Sequence, residues 1–337
     1  MKKNAPRKST HRSPARFIAR VLPGARPGPL PGFVAPCIPT LKLTVPTGER
    51  WLYEIKHDGY RMQARLEEEK PSLLTSSGLN RTGRFKSIVA SLRELPANSV
   101  VIDGEAVVPD DTGVANFSLL QSELSAGRSN SMVFYAFDLL YLDGFDIRAA
   151  PLVDRRRVLA ELIGSGVGNI LFSAHTEGDG KAIYQHACAI GLEGLVCKLQ
   201  DSPYRSGKST AWLKVKCIQR DTFSIVGFSP DRESVASLLL AKRKGGSLEY
   251  VGKADTGFTR KAAHDLYRLL HPLAAAKPAL AVRGRHPNTI WVRPEYEAEI
   301  DYRAITVDGL LRHAAFKGLR PRARTIRTAP AKNGYRK

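Results

Sequence analysis

The chain has 337 residues, of which 43% are hydrophobic, so it can form two compact domains with apolar cores. Its formal net charge of +20 favours a polyanionic partner, and no apolar run approaches the length of a membrane span. The four cysteines form no CxxC pair, which argues against a zinc ribbon; we expect no disulfide framework and a reducing compartment.

The positive charge is concentrated at the two ends of the chain. Residues 1–29 contain eight Lys or Arg and residues 318–337 contain seven, with no acid in either segment. This distribution favours nucleic acid, because contacts to phosphates are strong and independent of sequence. Residues 1–29 are therefore predicted to be a basic disordered arm, and residues 324–337 a basic tail. Solvated ends without a role, and an organelle transit peptide at the start, are the alternatives.

Between residues 30 and 220, short apolar strands alternate with segments of helical spacing. The predicted strands are WLYEI (51–55), VVIDGEAVV (100–108), MVFYAFDLLYL (132–142), GLVCKL (194–199) and WLKVKC (212–217). Helical spacing covers residues 84–95, 154–163 and 181–190, and Gly191 is placed at the end of the last helix. The pattern predicts a mixed domain of strands and helices.

From about residue 221 the pattern changes to short strands with few helices. The predicted strands lie in TFSIVGF (222–228), SVASLLLAKRK (234–244), GSLEYVGKA (246–254) and EAEIDYRAITVDGLLRHAAF (297–316). Turn dipeptides stand at Gly245-Gly246 and Asp308-Gly309, and one helix is predicted over roughly 259–273. About five strands and one helix suit a small barrel such as an OB-fold.

Lys56 is the candidate nucleophile, in the stretch YEIKHDGYR (53–61) directly after the first strand. A lysine becomes nucleophilic when burial or nearby cations disfavour its ammonium form. The candidate cations are Arg61 and the pair Lys214 and Lys216, which share one face of their predicted strand. For that pair the alternative is an edge strand with solvated lysines.

Three acids adjoin apolar strands and are candidate metal ligands. Asp103 and Glu105 lie two residues apart, so both point to the same face, and Glu193 precedes the strand GLVCKL. Acids in such positions usually pair or coordinate a metal, and Mg²⁺ needs few carboxylates when phosphate oxygens are present. The alternative is that Asp103 caps a turn and Glu193 caps a helix.

Five motifs follow one another in a distinctive order: EIKHDGYR (54–61), IDGEAVV (102–108), FYAFDLLYLDG (134–144), LEGLVCK (192–198) and WLKVKC (212–217). Their order resembles the covalent nucleotidyltransferase superfamily, which includes ATP-dependent DNA ligases, RNA ligases and mRNA capping enzymes. Within it, the chain is most similar to LigD-type ligases of bacterial non-homologous end joining, over about residues 30–320. The resemblance implies an α+β fold: an adenylation (nucleotidyltransferase) domain with antiparallel sheets and helices over 30–220, then an OB-fold β-barrel over 221–323.

The resemblance also implies a role for each matched residue. Lys56 would attack the α-phosphate of ATP and carry AMP, which would pass to a DNA 5′-phosphate and activate it for the 3′-hydroxyl. The other implied roles are nucleotide contacts for Glu54, Arg61, Glu105, Phe137 and Lys198, metal binding for Glu105 and Glu193, and phosphate contacts for Lys214 and Lys216. The implied cofactors are ATP and Mg²⁺, with Mn²⁺ as a substitute.

Three positions depart from the family pattern. His57 replaces an aromatic or aliphatic residue, and Ser76 replaces an arginine that contacts ribose. At the C-terminal motif, usually Arg-x-Asp-Lys, this chain has Arg320-Pro321-Arg322-Ala323. The family motif orients the leaving pyrophosphate, a role that would fall to Arg320. We therefore expect slow self-adenylation, with the sealing of pre-adenylated ends less affected.

The sequence thus predicts an ATP-dependent DNA ligase that seals nicks or ends, in double-strand-break repair. The alternatives are an end-binding relative with impaired catalysis and an RNA ligase of the same superfamily. The expected partners are nicked or broken double-stranded DNA and a Ku-type end-binding protein. We expect a monomer with no membrane association, located in the cytoplasm with the nucleoid.

Overall fold

The computed structural model describes residues 14–282, 286–306 and 308–321. The chain divides into two compact units, the first ending at Cys217 and the second beginning at Ile218. This boundary lies three residues before the one predicted at residue 220. Within the described residues, no helix is both long and apolar enough to span a membrane.

In its described residues, the first unit forms five α-helices, a short 3₁₀ turn (Thr82–Arg84) and twelve strands. The helices are α1 (Pro14–Val21), α2 (Lys86–Leu92), α3 (Phe117–Ser125), α4 (Leu152–Ile163) and α5 (Gly180–Ala189). The strands are β1 (Arg26–Pro27), β2 (Cys37–Lys42), β3 (Trp51–Ile55), β4 (Tyr60–Glu67), β5 (Lys70–Thr75), β6 (Ser99–Val107), β7 (Val133–Leu142), β8 (Phe145–Asp146), β9 (Ile170–Phe172), β10 (His175–Thr176), β11 (Gly194–Leu199) and β12 (Gly207–Lys216).

Two sheets pack against each other in this unit. The larger has the strand order β1-β8-β7-β6-β4-β5 with β9 beside β7, and the smaller has the order β10-β3-β11-β12-β2. The predicted pairing is antiparallel, but β7 with β9 and β12 with β2 are parallel. Val101 and Leu140 of the larger sheet share a buried cluster with Leu52 and Trp212 of the smaller. The opposite face of the larger sheet packs on α1, α2 and α4, so β6 is covered on both faces.

The start of the described chain is ordered, which corrects the prediction of a disordered arm for residues 14–29. Ala15 and Ala19 lie four residues apart on α1 and are fully buried, in the same core as α4. Strand β1 pairs with β8, with Arg26 opposite Asp146. Two small residues at helical spacing are a weak signal, since each contributes little apolar surface. Residues 1–13 lie outside the described residues.

The second unit contains strands, one α-helix and a short 3₁₀ turn (His271–Leu273) in its described residues. They are β13 (Gln219–Asp231), β14 (Ser234–Lys244), β15 (Ser247–Ala254), α6 (Arg260–Leu270), β16 (Ile290–Trp291), β17 (Tyr296–Tyr302), β18 (Ala304–Ile305), β19 (Leu311–Arg312) and β20 (Ala315–Pro321). The main sheet has the order β15-β14-β13-β17-β20, with β16 beside β13. The predicted strands and helix are present, but across the described residues this sheet is open rather than closed into a barrel.

A disulfide joins Cys188, near the end of α5, to Cys217, directly after β12. The sequence predicted no disulfide, and that prediction is wrong. The two cysteines are 29 residues apart, and they meet only because β11 returns the chain antiparallel to β12. Cys37 and Cys197 are free and buried.

Candidate active site

A cavity of about 260 Å³ opens between the two sheets of the first unit. Its lining contains seven of the predicted site residues: Glu54, Lys56, Arg61, Glu105, Phe137, Lys198 and Lys214. The larger sheet contributes Arg61, Glu105 and Phe137, and β3, β11, β12 and the loop after β3 contribute the rest. Residues up to 160 positions apart in the sequence therefore converge on one pocket.

Lys56 lies in the tight loop that connects β3 to β4. Its backbone N–H donates to the carbonyl of Gly194 at 2.9 Å, which ties the loop to β11. Gly59, in the same loop, passes so close to β6 that a Cβ atom would lie 2.2 Å from the carbonyl oxygen of Ala106. Only glycine fits at that position, so the KHDG spacing fixes where Lys56 enters the cavity.

Glu193 brings two of the predicted lysines together. Lys56 Nζ donates to Glu193 Oε2 at 2.5 Å, and Lys216 Nζ lies 3.5 Å from Glu193 Oε1. Burial lowers the pKa of Lys214, and the positive charges of Lys56 and Lys216 lower it further. One carboxylate thus faces several ammonium groups, an arrangement suited to an anionic ligand such as a phosphate.

Arg61 is oriented by a carboxylate that the sequence had placed among the metal candidates. Its guanidinium makes a bidentate pair with Asp103 at 3.0 and 2.6 Å and donates to the carbonyl of Cys37 at 2.7 Å. Asp103 also accepts a hydrogen bond of 2.6 Å from the hydroxyl of Tyr204. Asp103 therefore positions Arg61, whose side chain remains on the wall of the cavity.

Glu105 borders the same space as the lysines, and among the described residues it forms no salt bridge. Burial raises the pKa of Glu105 to about 8; Asp103 and Glu193 raise it as well, while Lys56 and Arg61 oppose the shift. A carboxyl group held near its neutral form becomes a ligand when a cation enters and stabilises its charge.

Aromatic rings form the apolar end of the cavity. Phe137 and Trp212 meet edge to face with 6.2 Å between ring centroids, and Lys198 Nζ lies 4.4 and 4.0 Å from those two centroids. The carboxylate of Glu54 is buried between two cations, 2.8 Å from Lys198 and 2.8 Å from Arg156. Burial is the main cause that lowers the pKa of Lys198, and Glu54 opposes it. Rings beside buried polar groups suit a flat base.

Four residues that the sequence prediction missed contact the predicted site residues, their neighbours or the cavity: Arg155, Arg156, Tyr204 and Trp212. Arg155 and Arg156 are both buried on α4, where Arg155 pairs with Asp138 at 2.8 Å through each of two nitrogens. A signal was present: these arginines continue the stripe of Leu152 and Leu159 at spacings of three and four residues. A charged residue on such a stripe usually has a buried partner.

The positions that depart from the family pattern have different surroundings. The ring of His57 stacks on Tyr135 with centroids 4.0 Å apart, and burial followed by the charge of Lys56 lowers the pKa of His57 to about 4. Ser76 is exposed just after β5. Arg320 belongs to the second unit, where it pairs with Glu299, and its contact with ATP stays a prediction. Arg322 lies outside the described residues.

The carboxylates fit Mg²⁺ only as a site shared with phosphate. Across the described residues, no group of three or more His, Cys, Asp or Glu side chains could hold a metal. Glu105 borders the cavity and Glu193 contacts Lys56, which also borders it. Two protein carboxylates are enough for Mg²⁺, since it keeps several waters and binds phosphate oxygens.

Two protein-family models match the chain: the ATP dependent DNA ligase domain over residues 37–216 and the ATP dependent DNA ligase C terminal region over residues 231–323. The chain is 35% identical to the multifunctional non-homologous end joining protein LigD of Pseudomonas aeruginosa, over 94% of this chain and 39% of that protein. It is 33% identical to LigD of Mycolicibacterium smegmatis, over 81% of this chain and 36% of that protein. The chain thus spans about two fifths of the length of these curated relatives.

A solved structure of a mycobacterial DNA ligase D complexed with ATP and MES is also similar. It is 29% identical, with a TM-score of 0.50, and the match covers 84% of this chain and 95% of that chain.

Proposed function

The chain belongs to the ATP-dependent DNA ligase family, and on that premise we propose that it joins breaks in double-stranded DNA through a lysyl-AMP intermediate on Lys56. The observation that carries the proposal is the cavity itself. Its wall carries Lys56 together with Phe137 and Trp212, whose rings suit adenine, and with Lys214, whose charge suits a phosphate. The names of the relatives refer to non-homologous end joining, and we extend that role to this chain.

The first step needs Lys56 as a neutral amine aligned with the α-phosphate of ATP. Lys56 would leave Glu193 and lose a proton to solvent. Its Nζ would then form a bond to phosphorus and lose a second proton to solvent as the bond to the pyrophosphate oxygen breaks. Lys214 and Lys216 would neutralise charge on the phosphate oxygens as that charge develops. Positioning and charge neutralisation are the main requirements of phosphoryl and nucleotidyl transfer, and this arrangement supplies both.

Phe137 and Lys198 would bind the adenine end of the nucleotide, with Glu54 and Arg156 holding Lys198 in place. Glu105 and Glu193 would hold Mg²⁺, which when bound supplies charge neutralisation at the phosphates. Arg61, fixed by Asp103, would contact the nucleotide and then the phosphate at the break. Its bidentate pair leaves the guanidinium with one orientation, which favours contact in a defined geometry.

A labelling experiment tests the assignment of Lys56. The chain is incubated with α-labelled ATP and Mg²⁺, and label on the protein is measured after denaturation. We expect label on the wild type and none on Lys56→Ala, while Lys70→Ala, at an exposed lysine on β5, serves as the matched control and takes up label normally. Equal labelling of wild type and Lys56→Ala would refute the proposal.

The proposed ligase activity also implies binding partners. The basic ends of the chain favour binding to DNA, and the affinity should depend strongly on salt concentration, because each phosphate contact releases a counterion. A Ku-type end-binding protein, a monomeric state and a cytoplasmic, nucleoid-associated location belong to the proposed role. Sealing assays on a nicked DNA duplex and on a matching nicked RNA duplex separate DNA ligation from RNA ligation.

A further inference from the structure

The Cys188–Cys217 disulfide encloses the pair that contacts Lys56. Cys188 precedes Glu193 by five residues, and Cys217 directly follows Lys216. The bond therefore joins the two chain segments that carry Glu193 and Lys216, which form an ion pair through Glu193 Oε1. Lys56 Nζ donates to the other oxygen of the same carboxylate, Oε2, at 2.5 Å.

Weaker contacts hold the same two segments together. The hydroxyl of Tyr184, on α5, donates to the carbonyl of Lys216 at 2.9 Å, and the N–H of Cys217 donates to the carbonyl of Glu193 at 2.9 Å. Gly194 pairs with Lys216 at the start of β11. These contacts do not depend on the covalent bond, so we expect this corner to keep its fold on reduction and to gain positional freedom.

We propose that the Cys188–Cys217 disulfide is a redox switch for self-adenylation: the oxidised chain holds Glu193 and Lys216 in register with Lys56, and reduction slows the transfer of AMP to that lysine. The inference rests on the proposed function of Lys56. Small displacements of groups that position a reacting atom lower rates strongly, so loosening this corner affects chemistry more than it affects stability.

The switch requires a dithiol reductant of the thioredoxin class. One thiolate of the reductant attacks Sγ of Cys188, which is half-buried, whereas Cys217 is buried. The sulfur–sulfur bond breaks, Cys217 takes a proton, and a mixed disulfide forms on Cys188. The second thiol of the reductant then displaces Cys188, so two protein thiols and one reductant disulfide result. In compartments where thiols are kept reduced, protein disulfides are usually transient and redox-sensing.

The experiment compares the full chain oxidised with glutathione disulfide and the same chain reduced with dithiothreitol. Label transfer from α-labelled ATP to Lys56 is followed in a single turnover, and alkylation with mass spectrometry counts the free thiols. We expect the reduced chain to react about three- to tenfold more slowly and to recover on reoxidation. The double variant Cys188→Ser/Cys217→Ser should show the slow rate under both conditions.

Three results would overturn the switch: equal rates in the two redox states, a thiol count that does not rise by two on reduction, or loss of the far-ultraviolet circular dichroism signal together with the rate. The last result would make the bond structural. The wild-type comparison stands by itself should the double variant fail to fold. Absence of label from the oxidised wild type would instead refute the proposed function, so the two failures are distinguishable.

Discussion

At the scale of single residues, the orientation of Arg61 depends on a hydrogen bond between Tyr204 and Asp103 that does not involve the arginine itself. The hydroxyl of Tyr204 donates to the carboxylate of Asp103, and the same carboxylate accepts hydrogen bonds from the guanidinium of Arg61. Tyr204 also accepts from the N–H of Cys37, whose carbonyl binds Arg61. The phenol therefore fixes both groups that hold the arginine, which makes Tyr204 a positioning residue.

We expect Tyr204→Phe to slow nick sealing roughly fivefold, because Arg61 loses part of its support. The free energy of unfolding should fall by about 1 kcal/mol, since one buried hydrogen-bonding group is removed. Tyr141→Phe is the matched control: its hydroxyl, in the same core cluster, donates to the carbonyl of Gly28 at 3.0 Å. It should lose similar stability in a urea titration and keep its sealing rate. Equal sealing by both variants would remove the positioning role.

His57 gives a prediction about pH. Its pKa is about 4 in the folded chain against an ordinary 6.5, so the unfolded chain binds a proton at a higher pH than the folded chain does. Falling pH between these values should lower the free energy of unfolding by about 2 to 3 kcal/mol. His57→Phe keeps the stack on Tyr135 and should lose less stability over that window. Urea titrations at pH 7 and 4.5 measure the difference; an identical pH dependence in both proteins would contradict it.

The convergence of the candidate site residues on one cavity could be predicted from sequence motifs. Four of the candidates each lie in a motif that is weak by itself, but the order of the motifs along the chain is distinctive. These residues are Lys56, Glu105, Glu193 and Lys214. Tyr204 and Asp103 were not assigned to Arg61, since a contact between residues 101 positions apart depends on sheet packing that no local pattern contains.

At the scale of elements, α4 contributes buried charge to the aromatic end of the cavity. Arg156 donates to Glu54, to the carbonyl of Phe137 at 2.9 Å and to the carbonyl of Ser173 at 2.6 Å. Its neighbour Arg157 is largely exposed and pairs with Asp154 on the surface of the same helix. The two arginines thus differ mainly in the face of the helix on which they lie.

Arg156→Ala should destabilise the first unit by about 3 kcal/mol, because Glu54 loses one of its two buried cations and keeps only Lys198, and two buried carbonyls lose a donor. Arg157→Ala should cost about 0.5 kcal/mol or less, as exposed ion pairs contribute little. Urea titration of both variants measures the contrast. Comparable losses in the two would show that the network around Glu54 does not carry the stability assigned to it.

Elements with strong periodicity were predicted well, and elements that depend on partners were not. The strands Trp51–Ile55, Gly194–Leu199 and Ser234–Lys244 match their predicted bounds. Helix α1 was missed because Pro, Arg and Ser dominate its segment and its buried face consists largely of alanine. The sequence carries no register for a parallel pairing such as β2 with β12, which joins residues about 170 positions apart.

At the scale of the whole molecule, the order of units was predictable from the change in pattern near residue 221. The structure places the boundary after Cys217, one residue beyond Lys216. Lys216, which we propose to bind phosphate, therefore lies next in sequence to the point where the second unit begins. Arg320, the residue expected to assist the first step, belongs to that second unit.

Self-adenylation should accordingly be limited by the C-terminal motif rather than by the cavity. The resemblance implies that Arg-x-Asp-Lys orients pyrophosphate, and this chain has Arg322 and Ala323 in the last two places. We expect the double substitution Arg322→Asp/Ala323→Lys to speed lysyl-AMP formation about tenfold, roughly 1.4 kcal/mol of transition-state stabilisation. Sealing of a pre-adenylated nick bypasses this step and should change little.

Ser76→Arg tests the ribose contact separately and should lower the KM for ATP. Rapid labelling of the wild type at low ATP, unaltered by either change, would show that Arg320 alone is sufficient.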